Sequence, residues 1–288
     1  MKASQAQQRA QQQHTFLMVC LFFTGACALV LEILGTRLIS PYFGSSLYCW
    51  SALITVTLVS LAAGYHWGGR LADRTPALTL AARLLAGAAL TVAITPALRS
   101  PVLRMASPLG IQLGSLAAAL ALVAPALVLL SALTPLAIRL TTESLTDVGR
   151  SAGGAYAVST IGSVAGAVLA GFVLIPNLPL SQILFGMAVL LLLLSAWAHH
   201  VSQRRLPMPQ LALAAAVALI GFWPRETIET NIVFNRESAY GQIKVLDFGQ
   251  RRYLLVNGTT QSLALLPSLK SDSPYSQVME LAAAARPD

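Results

Sequence analysis

Apolar residues in this chain run in long blocks instead of alternating with polar ones. Seven blocks stand out, at 16–39, 47–67, 77–98, 109–138, 153–175, 180–198 and 208–223. Crossing a bilayer takes about 20 apolar residues in a helix. Inside hydrocarbon every backbone N–H and C=O must be paired within the segment, which helices achieve. The pattern therefore predicts an all-α polytopic membrane bundle of about seven helices over 16–223. Residues 1–15 are polar and Gln-rich and read as a disordered tail. The fourth block contains Pro125 and Pro135, so a kink or break is expected there. The seventh is the shortest.

After Trp223 and Pro224 the period changes. Residues 231–266 alternate apolar and polar at period two, with a turn at 248–250 and the pair Asn257-Gly258, a strong tight-turn signal. This predicts a small β-meander in a third segment, 224–288. A Ser/Pro-rich loop from Pro267 to Pro274 and a helix over 275–285 complete it.

Composition supports the membrane reading. The chain of 288 residues is 56% hydrophobic and 10% charged, with a mean hydropathy of +0.67. A soluble domain of this size needs far more charge on its surface. Nineteen Lys and Arg against 11 Asp and Glu leave +8. The arginines fall between the apolar blocks, as the positive-inside rule produces, so nucleic acid is not an expected partner. Lys2, Arg9, Arg70, Arg74, Arg139, Arg150, Arg204 and Arg205 collect on one side; Arg37, Arg99 and Arg104 fall on the other. The richer side is the expected cytoplasmic one, with the N-terminus inside. If all seven blocks cross, the C-terminal segment lies outside; if the seventh lies in the interface, it stays in the cytoplasm. Cys20 and Cys27 sit about 10 Å apart along one helix and cannot pair. No metal-ligand spacing occurs, and no metal site is expected.

Glu32 lies within the first block, where an ionisable group needs a partner or water. It is either a site for a cationic substrate or proton, or a structural group paired with an arginine such as Arg37. Small residues at spacing four, Ser159, Ser163, Ala167, Gly162 and Gly166, allow close helix approach, for internal packing or for dimerisation.

Residues 31–74, LEILGTRLISPYFGSSLYCWSALITVTLVSLAAGYHWGGRLADR, and 153–176, GGAYAVSTIGSVAGAVLAGFVLIP, resemble the membrane half of fused proteins that join a transporter-like bundle to a spermidine synthase-like domain. ESAYGQIKV at 237–245 and LLVNGTTQS at 254–262 resemble the N-terminal β-domain of polyamine aminopropyltransferases. Within the first stretch, Gly64, Gly68, Arg70, Asp73 and Arg74 resemble the cytoplasmic loop of major-facilitator transporters, as a gating contact or as a tight turn carrying charge.

The resemblance implies substrate-lining roles for Tyr240, Gln242, Gln261 and Tyr275, decarboxylated S-adenosylmethionine as co-substrate, and a bacterial inner membrane as location. The departures are specific. The family's E-S-x-Y-Q has Gly241 in place of the Gln, followed by Gln242; its L-D-G-x-x-Q has Asn257 in place of the Asp but keeps Gln261; its Y-H-E triplet reads Tyr275-Ser276-Gln277. The Gly-rich nucleoside loop and the catalytic Asp of the family would lie beyond Asp288, and no such loop occurs here. No catalytic residue or bound cofactor is therefore assigned to this chain. The expected function is that of a membrane-embedded part of a spermidine synthase-like protein, anchoring and feeding a substrate domain. The alternatives are a small-molecule or polyamine carrier, or a scaffold docking a separate catalytic chain. Expected partners are the lipid bilayer, with a polyamine, a catalytic domain or a second copy of the chain as candidates.

Overall fold

The computed structural model describes residues 2–142, 144, 147–203, 207–222, 231–238, 241–256, 259–272 and 278. Helix α1 (Lys2–Phe43) is followed by α2 (Leu47–Arg74) and α3 (Leu78–Ala106). Next come α4 (Gly110–Leu122), α5 (Ala124–Ser131) and α6 (Leu133–Thr141). The remaining helices are α7 (Val148–Leu169), the short α8 (Ile175–Asn177), α9 (Leu180–Gln203) and α10 (Met208–Phe222). By length and hydropathy six stretches could cross a membrane: Gln11–Phe43, Leu47–Arg74, Leu78–Leu122, Ala124–Thr141, Val148–Asn177 and Leu180–Gln203, with Met208–Gly221 shorter.

Local chemistry explains the boundaries. Gly44 takes φ +68 and its N–H donates to the Ser40 carbonyl at 2.8 Å, a left-handed close to α1 that glycine adopts without strain. Ser46 then caps α2, accepting from the Cys49 N–H at 3.4 Å. The third apolar stretch turns back on itself at a 3-10 turn, Ser107–Leu109, so that the Thr95 hydroxyl reaches the Leu122 carbonyl. The expected break in the fourth block occurs twice, at Val123 and at Ala132, each just ahead of a proline, Pro125 and Pro135. In α7 the helix widens to a π turn over Ala170–Leu174, ahead of Pro176.

Three boundaries differ from expectation. α1 begins at Lys2, so residues 2–15 are helical and not the disordered tail that their polar composition predicts. Ala, Gln, Lys and Arg are good helix formers, and an existing helix propagates into them without a new nucleus. α2 continues to Arg74, which places Gly64 and Gly68 inside a helix and not in a turn. α3 runs to Ala106, well past residue 98, despite Pro96 and Pro101.

α1 packs against α7, α2, α9 and the α4–α6 limb, while α3 packs on α9 and α10 covers α9. One buried apolar core runs through these helices, including Leu31, Leu34, Leu38, Leu85, Leu127 and Leu191. The outside is apolar too. Leu58, Leu90, Val164 and Leu219 are exposed, and Phe172 is 79% exposed. A water-facing surface carries no such density of large apolar side chains. Six long apolar helices with apolar outer faces are consistent with a membrane-embedded protein.

The C-terminal segment is a five-stranded antiparallel meander in the order β1-β2-β3-β4-β5: Ile232–Ser238, Gly241–Phe248, Arg251–Val256, Thr259–Leu265 and Lys270–Ser271. Gly249 takes φ +63 at the first position of a two-residue turn, where type II′ hairpins select glycine. The segment read as a Ser/Pro-rich loop holds β5, with Lys270 opposite Leu265. The expected helix over 275–285 lies outside the described residues, apart from Val278.

α10 runs antiparallel to α9, since Gly221 near its end meets Phe185 near the start of α9. β1 lies against α8. The sheet therefore sits at the end of the bundle opposite Arg70, Arg74, Arg139 and Arg150.

Candidate functional site

A cluster of polar groups inside the bundle surrounds Glu32. A cavity of about 140 Å³ lies between α1, α2, the α5–α6 junction and α7. α1 supplies Thr24, Gly25, Ala28, Leu29 and Glu32, which share one face by helical spacing. α2 adds Thr57, Leu61 and Tyr65; the junction adds Leu130, Ser131 and Thr134; α7 adds Tyr156, Ser159, Thr160 and Ser163.

Close approach of α1 and α7 forms one wall. Phe22 and Ala26 carbonyls press on Gly162 and Gly166, and the Ser163 hydroxyl donates to the Gly25 carbonyl at 3.0 Å. The small residues of α7 thus serve internal packing, and a Cβ at Gly162 would collide with backbone. On the opposite wall Gly64 admits Ser131 and the Val128 carbonyl, so α2 lies tightly on α5. The rings of Tyr65 and Tyr156 meet edge to face, centroids 6.3 Å apart, at the exposed rim between α2 and α7.

Glu32 is half-buried and has no hydrogen bond or ion pair with any described residue. Arg37 is not its ion-pair partner: five residues on, it projects about 140° around the helix from Glu32. Among the described residues no Lys, Arg or His lines the cavity. Thr57 is buried, and its hydroxyl oxygen has no hydrogen-bond partner among the described residues. A carboxylate inside a membrane costs at least about 2.5 kcal/mol without compensation, which argues for water or a ligand in this space.

The residues of the transporter-like segment fall elsewhere. Arg70, Asp73 and Arg74 are exposed at the end of α2. Asp73 lies 3.9 Å from Arg139, joining the ends of α2 and α6. Such an exposed pair contributes on the order of 0–1 kcal/mol.

On the sheet, Tyr240 and Tyr275 lie outside the described residues. Gln242 pairs with Glu237 near one end of β2. Gln261 is the extra residue of a β-bulge, because Leu254 faces Ser262 while Leu255 faces Thr260. Gln242 and Gln261 approach the same end of the sheet, separated by β3. The sequence reading missed the pair Asp247 and Arg252, directly opposite on β2 and β3. Its two hydrogen bonds measure 2.7 and 2.8 Å. The Arg252 guanidinium holds the Asp247 carboxyl below the usual carboxylate range.

No protein family, curated protein or solved structure matches the chain. Among the described residues no group of His, Cys, Asp and Glu could hold a metal ion.

Proposed function

We propose that the chain is a multi-pass protein of the cell membrane, the inner membrane in a bacterium, with its N-terminus in the cytoplasm. Its bundle anchors a spermidine synthase-like β-domain and is not catalytic by itself. The observation that carries this is the attachment of a five-stranded antiparallel sheet to one end of an apolar-surfaced bundle. The motifs at 237–245 and 254–262 supply the family resemblance. In this reading Tyr240, Gln242, Gln261 and Tyr275 belong to a substrate-facing surface that another domain or chain completes, and decarboxylated S-adenosylmethionine is that partner's co-substrate. A protease site placed between residues 223 and 231 tests the arrangement. Cleavage in carbonate-washed membranes releases the C-terminal segment into the aqueous fraction and leaves 16–222 behind. A cleaved segment retained by the membranes contradicts an anchored, water-facing domain.

The cavity at Glu32 favours a second reading, a carrier of small organic cations such as polyamines. Its specific support is a carboxylate in a cavity that no cationic side chain lines among the described residues. Spermidine-dependent thermal stabilisation of the wild type, absent in Glu32→Gln, tests it; no shift in the wild type leaves the bundle as an anchor.

A further inference from the structure

The cavity combines one carboxylate, a set of hydroxyls and several apolar side chains, with the Tyr65 and Tyr156 rings in contact at its exposed rim. Its charge balance is one-sided: among the described residues Glu32 is the sole carboxylate in the lining, and no cationic side chain accompanies it. The Thr57 hydroxyl oxygen, buried and without a partner among the described residues, is an orphaned polar atom in the same wall. At about 140 Å³ the space exceeds what one water needs, about 10–15 Å³.

The shape selects among cations. A bare divalent ion takes six or more oxygen ligands, several of them carboxylates, and one Glu does not provide that charge. A sodium ion would leave most of the space and its apolar lining, Ala28, Leu29, Leu61 and Leu130, unused. Tyr65 and Tyr156 put an edge-to-face pair of rings at the exposed rim, and a ring face attracts organic ammonium groups. An ammonium has three N–H donors, which match a carboxylate and two hydroxyls.

We propose that this cavity is a binding site for the alkylammonium group of a protonated amine. The ammonium sits on Glu32 and the threonine and serine hydroxyls, and the alkyl stem runs past Leu29 and Leu61 towards Tyr65 and Tyr156. Tyr65 and Tyr156 lie in the halves of α2 and α7 nearer the arginine-rich end, which sets the direction in which the stem extends. This rests on the carrier reading and deepens it by placing a single ammonium on Glu32 and the Thr57 hydroxyl. Butylammonium binding without a spermidine shift leaves this site standing and the polyamine-carrier reading without support.

The experiment is calorimetry on the full chain in nanodiscs, titrated with n-butylammonium chloride and, separately, with sodium chloride. The wild type is expected to bind butylammonium saturably, with sodium unable to compete at equal concentration. Glu32→Gln should weaken binding at least about tenfold, the loss expected for a charge-assisted hydrogen bond. Thr57→Val preserves shape and removes the hydroxyl, and should weaken it by about threefold or more. Melting curves of both variants establish that they are folded; should Glu32→Gln not fold, Thr57→Val carries the test. Equal butylammonium heats in the wild type and in a folded variant would overturn the proposal, as would saturable sodium binding that butylammonium does not displace.

Discussion

Arg99 on α3 donates from its guanidinium to the Arg37 backbone carbonyl of α1 at 2.8 Å, and from Nε to the Leu38 carbonyl at 3.0 Å. The reason lies four residues further along α1. Pro41 is inside the helix and has no N–H, so the Arg37 carbonyl lacks its usual i+4 donor. An arginine from the neighbouring helix satisfies it, which lets α1 continue to Phe43.

Arg99→Ala should therefore lower stability by about 1.5–3 kcal/mol, the range for hydrogen bonds to charged groups. The same substitution in a Pro41→Ala background should cost less, because the restored N–H bonds the Arg37 carbonyl. Thermal unfolding of the four proteins in detergent gives the cycle. Equal losses in both backgrounds would show that the carbonyl freed by Pro41 is not what Arg99 serves.

Gly162→Ala should destabilise the α1–α7 pair by about 1–3 kcal/mol, the usual range for overpacking. The obstacle is the Phe22 backbone, which cannot rotate away as a side chain would. Gly171 has open space around its Cβ position, so Gly171→Ala serves as the control and should melt near the wild type. Comparable melting of the two variants would contradict the packing described.

Much of the architecture was legible in the sequence because its signals are local. Hydrophobic block length marked the helical limbs, Pro125 and Pro135 marked the breaks, and period-two alternation marked the meander. Helix ends were less legible: Gly64 and Gly68 look like a turn in the sequence, yet they are sites where Ser131 and Ala132 approach α2. The cavity was legible only as Glu32. Thr57, Tyr65, Ser131 and Tyr156 reach it from other helices, and no spacing in the chain links them. Arg99 read as a loop charge for the same reason, since its acceptors lie on α1. The Asp247–Arg252 pair was in principle readable, because a two-residue turn at 249–250 puts 247 opposite 252.

The sheet should respond to acid through that pair. Asp247 has a folded pKa below its ordinary value, so folding favours its ionised form. The contribution is complete above the usual Asp value of about 3.9 and is lost as pH falls through the lower folded value. Asp247→Asn should flatten this part of the pH profile of sheet protection, read by hydrogen exchange on β2 and β3 between neutral pH and pH about 2. An unchanged profile would mean that the pair does not hold the hairpin.

A bundle that crosses a membrane with its sheet opposite the arginine-rich end exposes the two ends on different sides. Cys20, Cys27 and Cys49 are all buried, so single introduced cysteines give a clean accessibility readout. Gln250→Cys lies in the exposed β2–β3 turn and Thr75→Cys in the exposed α2–α3 connection. A membrane-impermeant maleimide added to intact cells, or to spheroplasts of a bacterium, should label Gln250→Cys and leave Thr75→Cys unlabelled until the cells are lysed. Labelling of both positions before lysis, or of Thr75→Cys alone, would contradict the account.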